Sequence, residues 1–202
     1  MREVIVDLIR HGEPVGGKRY RGQIDDPLSE KGWQQMRSAV QGYRSWKKIV
    51  TSPLSRCSEF ARELGEKLNI DVEEDARFKE IGFGAWEGRT AAELMEFESD
   101  ILLRFWSDPV SNRPEGAERL ADFSQRVTEA WNQLLEKDPN DHLLVVCHAG
   151  VIRMILAQVL MMKLDAVFRT EVKNASITRI AVNISEHGIF PRLVFHNRDI
   201  SA

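Results

Sequence analysis

The chain of 202 residues has only two cysteines, Cys57 and Cys147. Two are too few for a disulfide framework, and they lack the paired spacing of a zinc site, so reduced thiols are expected. No apolar run reaches the roughly 20 residues that a membrane-spanning helix needs. The N-terminus enters a strand candidate at Glu3 without the basic, apolar and small-residue zones of a secretory signal, so a cytoplasmic location is expected. Positive charge is not in excess either, since 28 Lys and Arg face 31 Asp and Glu for a net −3. Such a chain has no general attraction for nucleic acid or an anionic membrane, and any anion must be held by a local group of arginines. Internal repeats and low-complexity tracts are missing too.

What remains, 43% apolar and 29% charged residues, is the composition of a globular protein with a substantial core. One domain over 1–202 is expected. The run EVIVDLI at 3–9 predicts a strand covered on both faces, followed by a glycine-punctuated loop to residue 28. Ser29 is placed to cap a helix through SEKGWQQMRSAVQGY. KKIVTSPL predicts a short strand stopped by Pro53, and a helix over 55–68 carries Phe60, Leu64 and Leu68 on one face. A third strand falls near Val72. Residues 78–90 show neither period and predict a shaped loop, 90–107 a helix, 108–117 a linker, and LADFSQRVTEAWNQLLEK a long amphipathic helix. DHLLVVCHAG is the strongest strand and runs into the apolar helix VIRMILAQVLMM. SITRIAVNI and FPRLVFHN predict closing strands joined at EHG. Strands alternating with helices imply an α/β fold with a mostly parallel central sheet, flanked by helices in three layers, and with its ligand site beyond the carboxyl ends of the strands. The middle section, about 78–125, is expected to form a loop and small helical cap.

Three strand candidates end in groups that carry chemistry: Arg10 and His11, Ser52 to Arg56, and His148. In a parallel sheet these ends share one side, so two arginines and two histidines converge. Planar guanidinium forks and titratable imidazoles around one small volume suit a tetrahedral phosphoryl group, whose spreading charge they neutralise in a loose transition state.

RHGE at 10–13, SPLSR at 52–56, EIGFGAWEG from Glu80 and CHAG at 147–150 occur in that order, and together they resemble the histidine phosphatase superfamily, the phosphoglycerate mutase-like phosphatases. The resemblance spans nearly the whole chain. It implies that His11 attacks phosphorus through Nε2 while a backbone carbonyl holds its other nitrogen. Arg10, Arg56 and His148 fall on the family's phosphate-binding positions, with Arg21, Gly22 and Ala149 beside the substrate. Glu80 falls on the residue that protonates the leaving alkoxide and then activates water. The neighbouring arginine charges are expected to disfavour imidazolium at His11. No metal or other cofactor is implied, since arginines take the part that magnesium plays elsewhere. The expected partner is a small phosphorylated metabolite, and a homodimer is allowed for. Among subfamilies the segments RGQIDDPLSEKGW, FGAWEG and FWSDP…RPEGAERLADFSQRV look most like α-ribazole phosphatase, with Glu118 where that group often has glutamate and Ala117 in place of a frequent glycine.

The chain departs from the family pattern after RHGE, where many members carry a threonine and then an asparagine that reaches phosphate. Here PVGGKRYRG follows, and backbone amides around Gly16 and Gly17 or the side chain of Arg21 are the candidate replacements. Glu87 shares a loop with Glu80 and is its rival. Phe83 and Trp86 serve equally well as loop packing or as a substrate platform. Arg19, Arg89 and Arg113 are substrate-side candidates in a sequence where exposed arginine is usually just solvated, and His142, His187 and His196 are expected at the surface or an edge. CHAGVIR is also literally C-x5-R, the signature of cysteine-dependent phosphatases, which would make Cys147 the nucleophile but leaves RHGE and SPLSR without a purpose. A mutase would use the same His11 under longer covering segments than this chain shows.

Overall fold

The computed structural model describes residues 2–138 and 141–200. Its first strand, β1 (Arg2–Arg10), is buried from Val6 through Ile9, as a strand covered on both faces must be. A long loop leads to α1 (Glu30–Ala39), where the Ser29 hydroxyl accepts the Gly32 N–H and caps the first turn. Then come β2 (Lys48–Thr51), α2 (Ser55–Leu68) and β3 (Asp71–Glu74). Helix α2 ends where Asn69 turns left-handed, at φ 54°. Short 3-10 turns at Ala76–Phe78 and Gly84–Trp86 shape the loop that follows. Next are α3 (Ala91–Phe97), α4 (Ile101–Ser107), α5 (Leu120–Lys137), β4 (His142–Cys147) and α6 (Ala149–Val159). A 3-10 segment, Leu164–Arg169, precedes the closing strands β5 (Ile177–Ser185) and β6 (Gly188–Arg198).

The strands form one sheet in the order β3-β2-β4-β1-β5-β6. The first four neighbours are parallel, and β5 joins β1, and β6 joins β5, antiparallel. Alternation along β1 divides the core. Val4, Val6 and Leu8 belong to one side with Phe123, Val127 and Trp131 of α5 and Ile152 and Ile155 of α6. Ile9 belongs to the other, with Met36 of α1, Trp46, and Phe60 and Leu64 of α2. Full burial of each such side chain contributes about 1.5–3 kcal/mol. Among the described residues no helix is long and apolar enough to cross a membrane.

The segment expected as one helix over 90–107 is two. A capping box starts α3, with Thr90 Oγ1 accepting the Glu93 N–H and the Glu93 carboxylate accepting the Thr90 N–H. The helix stops at Glu98, and α4 restarts after Asp100, a residue whose short polar side chain competes with the helical backbone. The break turns Leu94, Leu102 and Phe105 onto Trp86 in a small apolar cluster, against which Tyr20, Phe83 and Phe168 pack. Helix α5 packs on the sheet from its first turn through Leu120 and Phe123.

Candidate active site

The three functional strand ends are brought level by backbone pairing. Arg10 lies opposite Cys147 and Thr51 opposite Val146. The ladder continues one residue further, since the His11 N–H donates to the Cys147 carbonyl and the Ser52 N–H to the Val146 carbonyl, both at 3.0 Å. The chain leaves β1 toward β2 and leaves β4 toward β5, so the strand order reverses here and a crevice opens beyond the carboxyl ends. It holds a cavity of about 360 Å³ lined by Arg10, His11, Arg21, Gly22, Arg56, Glu80 and Ala149.

His11 is 6% exposed, with Nδ1 2.8 Å from the Gly12 carbonyl. A carbonyl only accepts, so the proton sits on Nδ1 and Nε2 keeps its lone pair. Burial, helped by the charges of Arg10 and Arg56, pushes the imidazole well below its ordinary pKa and outweighs the Gly12 contact. The ring is therefore neutral near pH 7.

Arg10 donates from Nη1 to the Val172 carbonyl at 2.6 Å, and Arg56 donates from Nη1 to Ile24 and from Nη2 to Gly22, at 2.7 and 2.8 Å. These carbonyl contacts orient the forks. The Nε of each is buried and has no partner among the described residues. A buried donor left unmade costs about 1–3 kcal/mol, and more on a charged group. Burial lowers the pKa of Arg10 to about 10, which still leaves it charged at neutral pH. Glu80 reaches in from the shaped loop, and its carboxylate accepts the N–H of Gly150 at 3.1 Å and of Ile81 at 3.1 Å. The approach requires glycine at 150, because a Cβ there would lie 2.2 Å from Glu80 Oε1. His148 is fully buried, with its ring 5.2 Å from that of His11 in an edge-on arrangement. Its Nε2 is 2.8 Å from Ser52 Oγ, and it does not line the cavity.

The family model of the histidine phosphatase superfamily, branch 1, matches residues 6–193. The chain belongs to that superfamily. The chain is 33% identical over 177 residues to a bifunctional protein of Mycobacterium tuberculosis, a match covering 85% of the chain and 48% of that protein. The chain thus spans about half the length of such curated relatives. A mycobacterial glucosyl-3-phosphoglycerate phosphatase solved with inorganic phosphate superposes with TM-score 0.85 at 27% identity, covering 100% of both chains. The α-ribazole phosphatase from Shigella flexneri superposes with TM-score 0.81 at 25% identity, covering 97% of each.

The remaining candidate residues divide. Glu87 is a loop clamp, its Oε1 accepting the N–H groups of Gln23 and Phe83. Glu118 pairs with Arg126 and accepts the Gly82 N–H. Arg21 lines the cavity, but its Nε is committed to Asp26 at 2.9 Å and its Nη2 to the Val15 carbonyl. Gly22 adopts φ +52°, where any side chain would meet the Glu87 carboxylate, and its carbonyl holds Arg56. Gly17 lines the cavity, whereas the Gly16 carbonyl accepts from Arg19 Nε. Arg89 stacks over Phe97 and Arg113 donates to the Ala117 carbonyl, and neither lines the cavity. Phe83 lines it, while Trp86 is buried behind.

Cys147 is buried in the core, where desolvation pushes its thiol well above the ordinary range, so it is no thiolate nucleophile. The C-x5-R spacing does not describe one site: the cysteine faces the core and Arg153 lines the cavity. His142, expected at the surface or an edge, is buried at the start of β4 and bound to Asp7 at 3.0 Å. Among the described residues no group of three or more His, Cys, Asp or Glu is arranged to hold a metal ion.

Asn174, Tyr20 and Phe168 line the cavity without having been expected there, and Arg153, which also lines it, was weighed only as the arginine of the C-x5-R spacing. Asn174 Nδ2 donates to the His11 carbonyl at 3.1 Å. Arg153 was within reach, being four residues after Ala149 and so on the same helix face. For the other three no local signal exists.

Proposed function

We propose that the chain is a metal-independent phosphomonoesterase working through a phosphohistidine at His11. The observation that carries this reading is an unprotonated Nε2 in a cavity shared with two guanidinium groups, each with a buried and unpartnered Nε–H. A phosphoryl group supplies what those donors lack. In the first step His11 Nε2 bonds to phosphorus as the ester P–O bond breaks, and Glu80 gives its proton to the departing alkoxide. In the second step Glu80 takes a proton from water, whose oxygen bonds to phosphorus as the N–P bond breaks and inorganic phosphate forms. Arg10 and Arg56 neutralise the charge that spreads over the phosphoryl oxygens. His148 stays neutral, because burial and then the Arg56 charge hold its pKa well down. Its direct contact with a phosphoryl oxygen requires Ser52 to give up the 2.8 Å hydrogen bond.

The specific substrate we propose is α-ribazole 5′-phosphate, supported by the likeness to the Shigella flexneri structure and by the apolar wall that Tyr20, Phe83 and Phe168 give the cavity. A second reading is a broad-specificity sugar-phosphate phosphatase, including action on fructose 2,6-bisphosphate. It is favoured by the cavity's charge, six cationic side chains against Glu13 and Glu80.

The test is a screen of metabolite phosphates in the presence of chelator, with His11→Ala as the blank and Cys147→Ser as the thiol control. Phosphate release that survives chelator and Cys147→Ser but falls by about 10³-fold or more in His11→Ala is the expected outcome. Full turnover by folded His11→Ala sinks the mechanism. Rapid hydrolysis of α-ribazole 5′-phosphate alone supports the first substrate, and equal rates on many esters remove it.

A further inference from the structure

We propose that Asn197, on the outermost strand of the sheet, is a positioning residue for the phosphate site, because its side-chain amide clamps the loop whose Val172 carbonyl aims the Arg10 guanidinium. The inference deepens the phosphomonoesterase reading and rests on it for the part that Arg10 plays.

Among the described residues the Val172 carbonyl is the one hydrogen-bond partner of the Arg10 guanidinium, 2.6 Å from Nη1. Whatever fixes that carbonyl therefore fixes the fork. Residues 171–176 form a loop without regular structure ahead of β5, and among the described residues neither Glu171 nor Val172 makes a backbone–backbone hydrogen bond. Backbone groups with no ladder of their own are held by side chains or water.

Asn197 holds them from both sides of Val172. Its Nδ2 donates to the Glu171 carbonyl at 2.8 Å and its Oδ1 accepts the Lys173 N–H at 2.9 Å, the pattern with which a parallel strand would bracket residue 172. His196 adds a second donor to the Glu171 carbonyl, Nε2 at 2.7 Å, while its Nδ1 lies 2.7 Å from the Thr178 hydroxyl. With residues 171 and 173 bridged by one amide, the direction of the carbonyl between them is set.

A β-bulge delivers this side chain. Arg179 pairs with Phe195 and Ile177 with Arg198, so Thr178 alone faces both His196 and Asn197. Asn197 absorbs the extra residue at φ 56°, a left-handed conformation that asparagine tolerates better than most side chains. Bulges re-aim side chains, and here a strand that does not touch β1 reaches the loop beyond its end. The far end of that loop has its own tie to β1, since the Ala175 N–H donates to the Arg10 carbonyl at 3.0 Å and Asn174 Nδ2 to the His11 carbonyl at 3.1 Å. Removal of the clamp should free residues 171–173 and the Arg10 fork while His11 stays in place.

Asn197→Gly tests this, because glycine keeps the left-handed turn and removes only the amide. Turnover of p-nitrophenyl phosphate and calorimetric binding of inorganic phosphate are compared in wild type, Asn197→Gly, Arg10→Met and the double variant. In Asn197→Gly, kcat/KM and phosphate affinity should each fall by about tenfold, the scale of a lost hydrogen bond to a charged group. Asn197→Asp, which keeps the turn and the acceptor for Lys173, should lose a smaller factor, and it carries the same test if the glycine variant does not fold. In the Arg10→Met background the further loss should stay under about twofold, since no guanidinium remains to be aimed. Undiminished turnover and phosphate binding in folded Asn197→Gly overturn the proposal. An equal loss with and without Arg10 overturns it too, because a merely structural role gives that result. Phosphate binding without turnover in wild type, still dependent on Asn197 through Arg10, sinks the phosphohistidine reading and leaves the clamp standing. If wild type neither binds phosphate nor turns over, both fall.

Discussion

Two clusters of buried polar groups lie three residues apart on β1 and differ in how well they are satisfied. Asp7, fully buried, accepts from Trp46 Nε1 at 2.8 Å, His142 Nε2 at 3.0 Å, and Arg179 Nε and Nη2 at 2.8 and 2.9 Å. Arg179 also donates to the Tyr43 hydroxyl at 2.7 Å. Burial alone would raise the Asp7 pKa, but Arg179, His142 and Trp46 together hold it below the ordinary range. At Arg10 and His11 the balance is the reverse. Among the described residues two guanidinium Nε donors go unpartnered, and an imidazole is held neutral by burial and like charge. A satisfied network pins the fold, and on the reading proposed above the unsatisfied one is completed by the phosphoryl group.

The contrast yields three tests, the largest effect first. Asp7→Ala should cost about 3–5 kcal/mol of stability, since it strands the charge of Arg179 and two further donors. Denaturant unfolding measures this, and activity per folded molecule should persist at low temperature. A loss under 1 kcal/mol would mean that the network is not structural. Arg10→Met should do the opposite. It should lower kcat/KM by about 10²–10³-fold while leaving stability level or higher, because a buried cation with a missing partner is replaced by an apolar side chain. Equal damage to stability would erase the distinction between the clusters.

The smallest effect is on pH dependence. His11 and His148 have folded pKa values held below the unfolded value of about 6.5, so between those limits the unfolded chain binds more protons than the folded one. Their contribution to stability is complete above about pH 6.5 and falls as pH drops, by up to about 1.4 kcal/mol per pH unit for each ring. Unfolding free energies at pH 7 and 5.5 should show this slope, reduced by one histidine's share in His11→Gln. An unchanged slope in that variant would place the proton uptake elsewhere.

Much of the architecture was legible because it rests on local signals. The Ser29 cap, the Pro53 stop and the bounds of α2 follow from residues within a turn of each boundary. The break at Glu98–Asp100 was not legible, since the apolar spacing on its two sides reads as continuous until the helices turn onto Trp86. Glu80 and Glu87 are alike in sequence and separate only when Gly150 approaches one and the Gln23 and Phe83 amides the other. His142 passed for a surface residue because Asp7, its partner, is 135 positions away.

The sequence by itself determined the alternation of strands and helices and the convergence of Arg10, His11, Arg56 and His148, because strand ends in a parallel sheet share one side whatever packs around them. Only the tertiary structure decided which arginines remain open. A guanidinium is closed by carbonyls and carboxylates that arrive from distant segments, so that Arg21 is spent on its own loop while Arg10 and Arg56 each keep a buried Nε without a partner among the described residues.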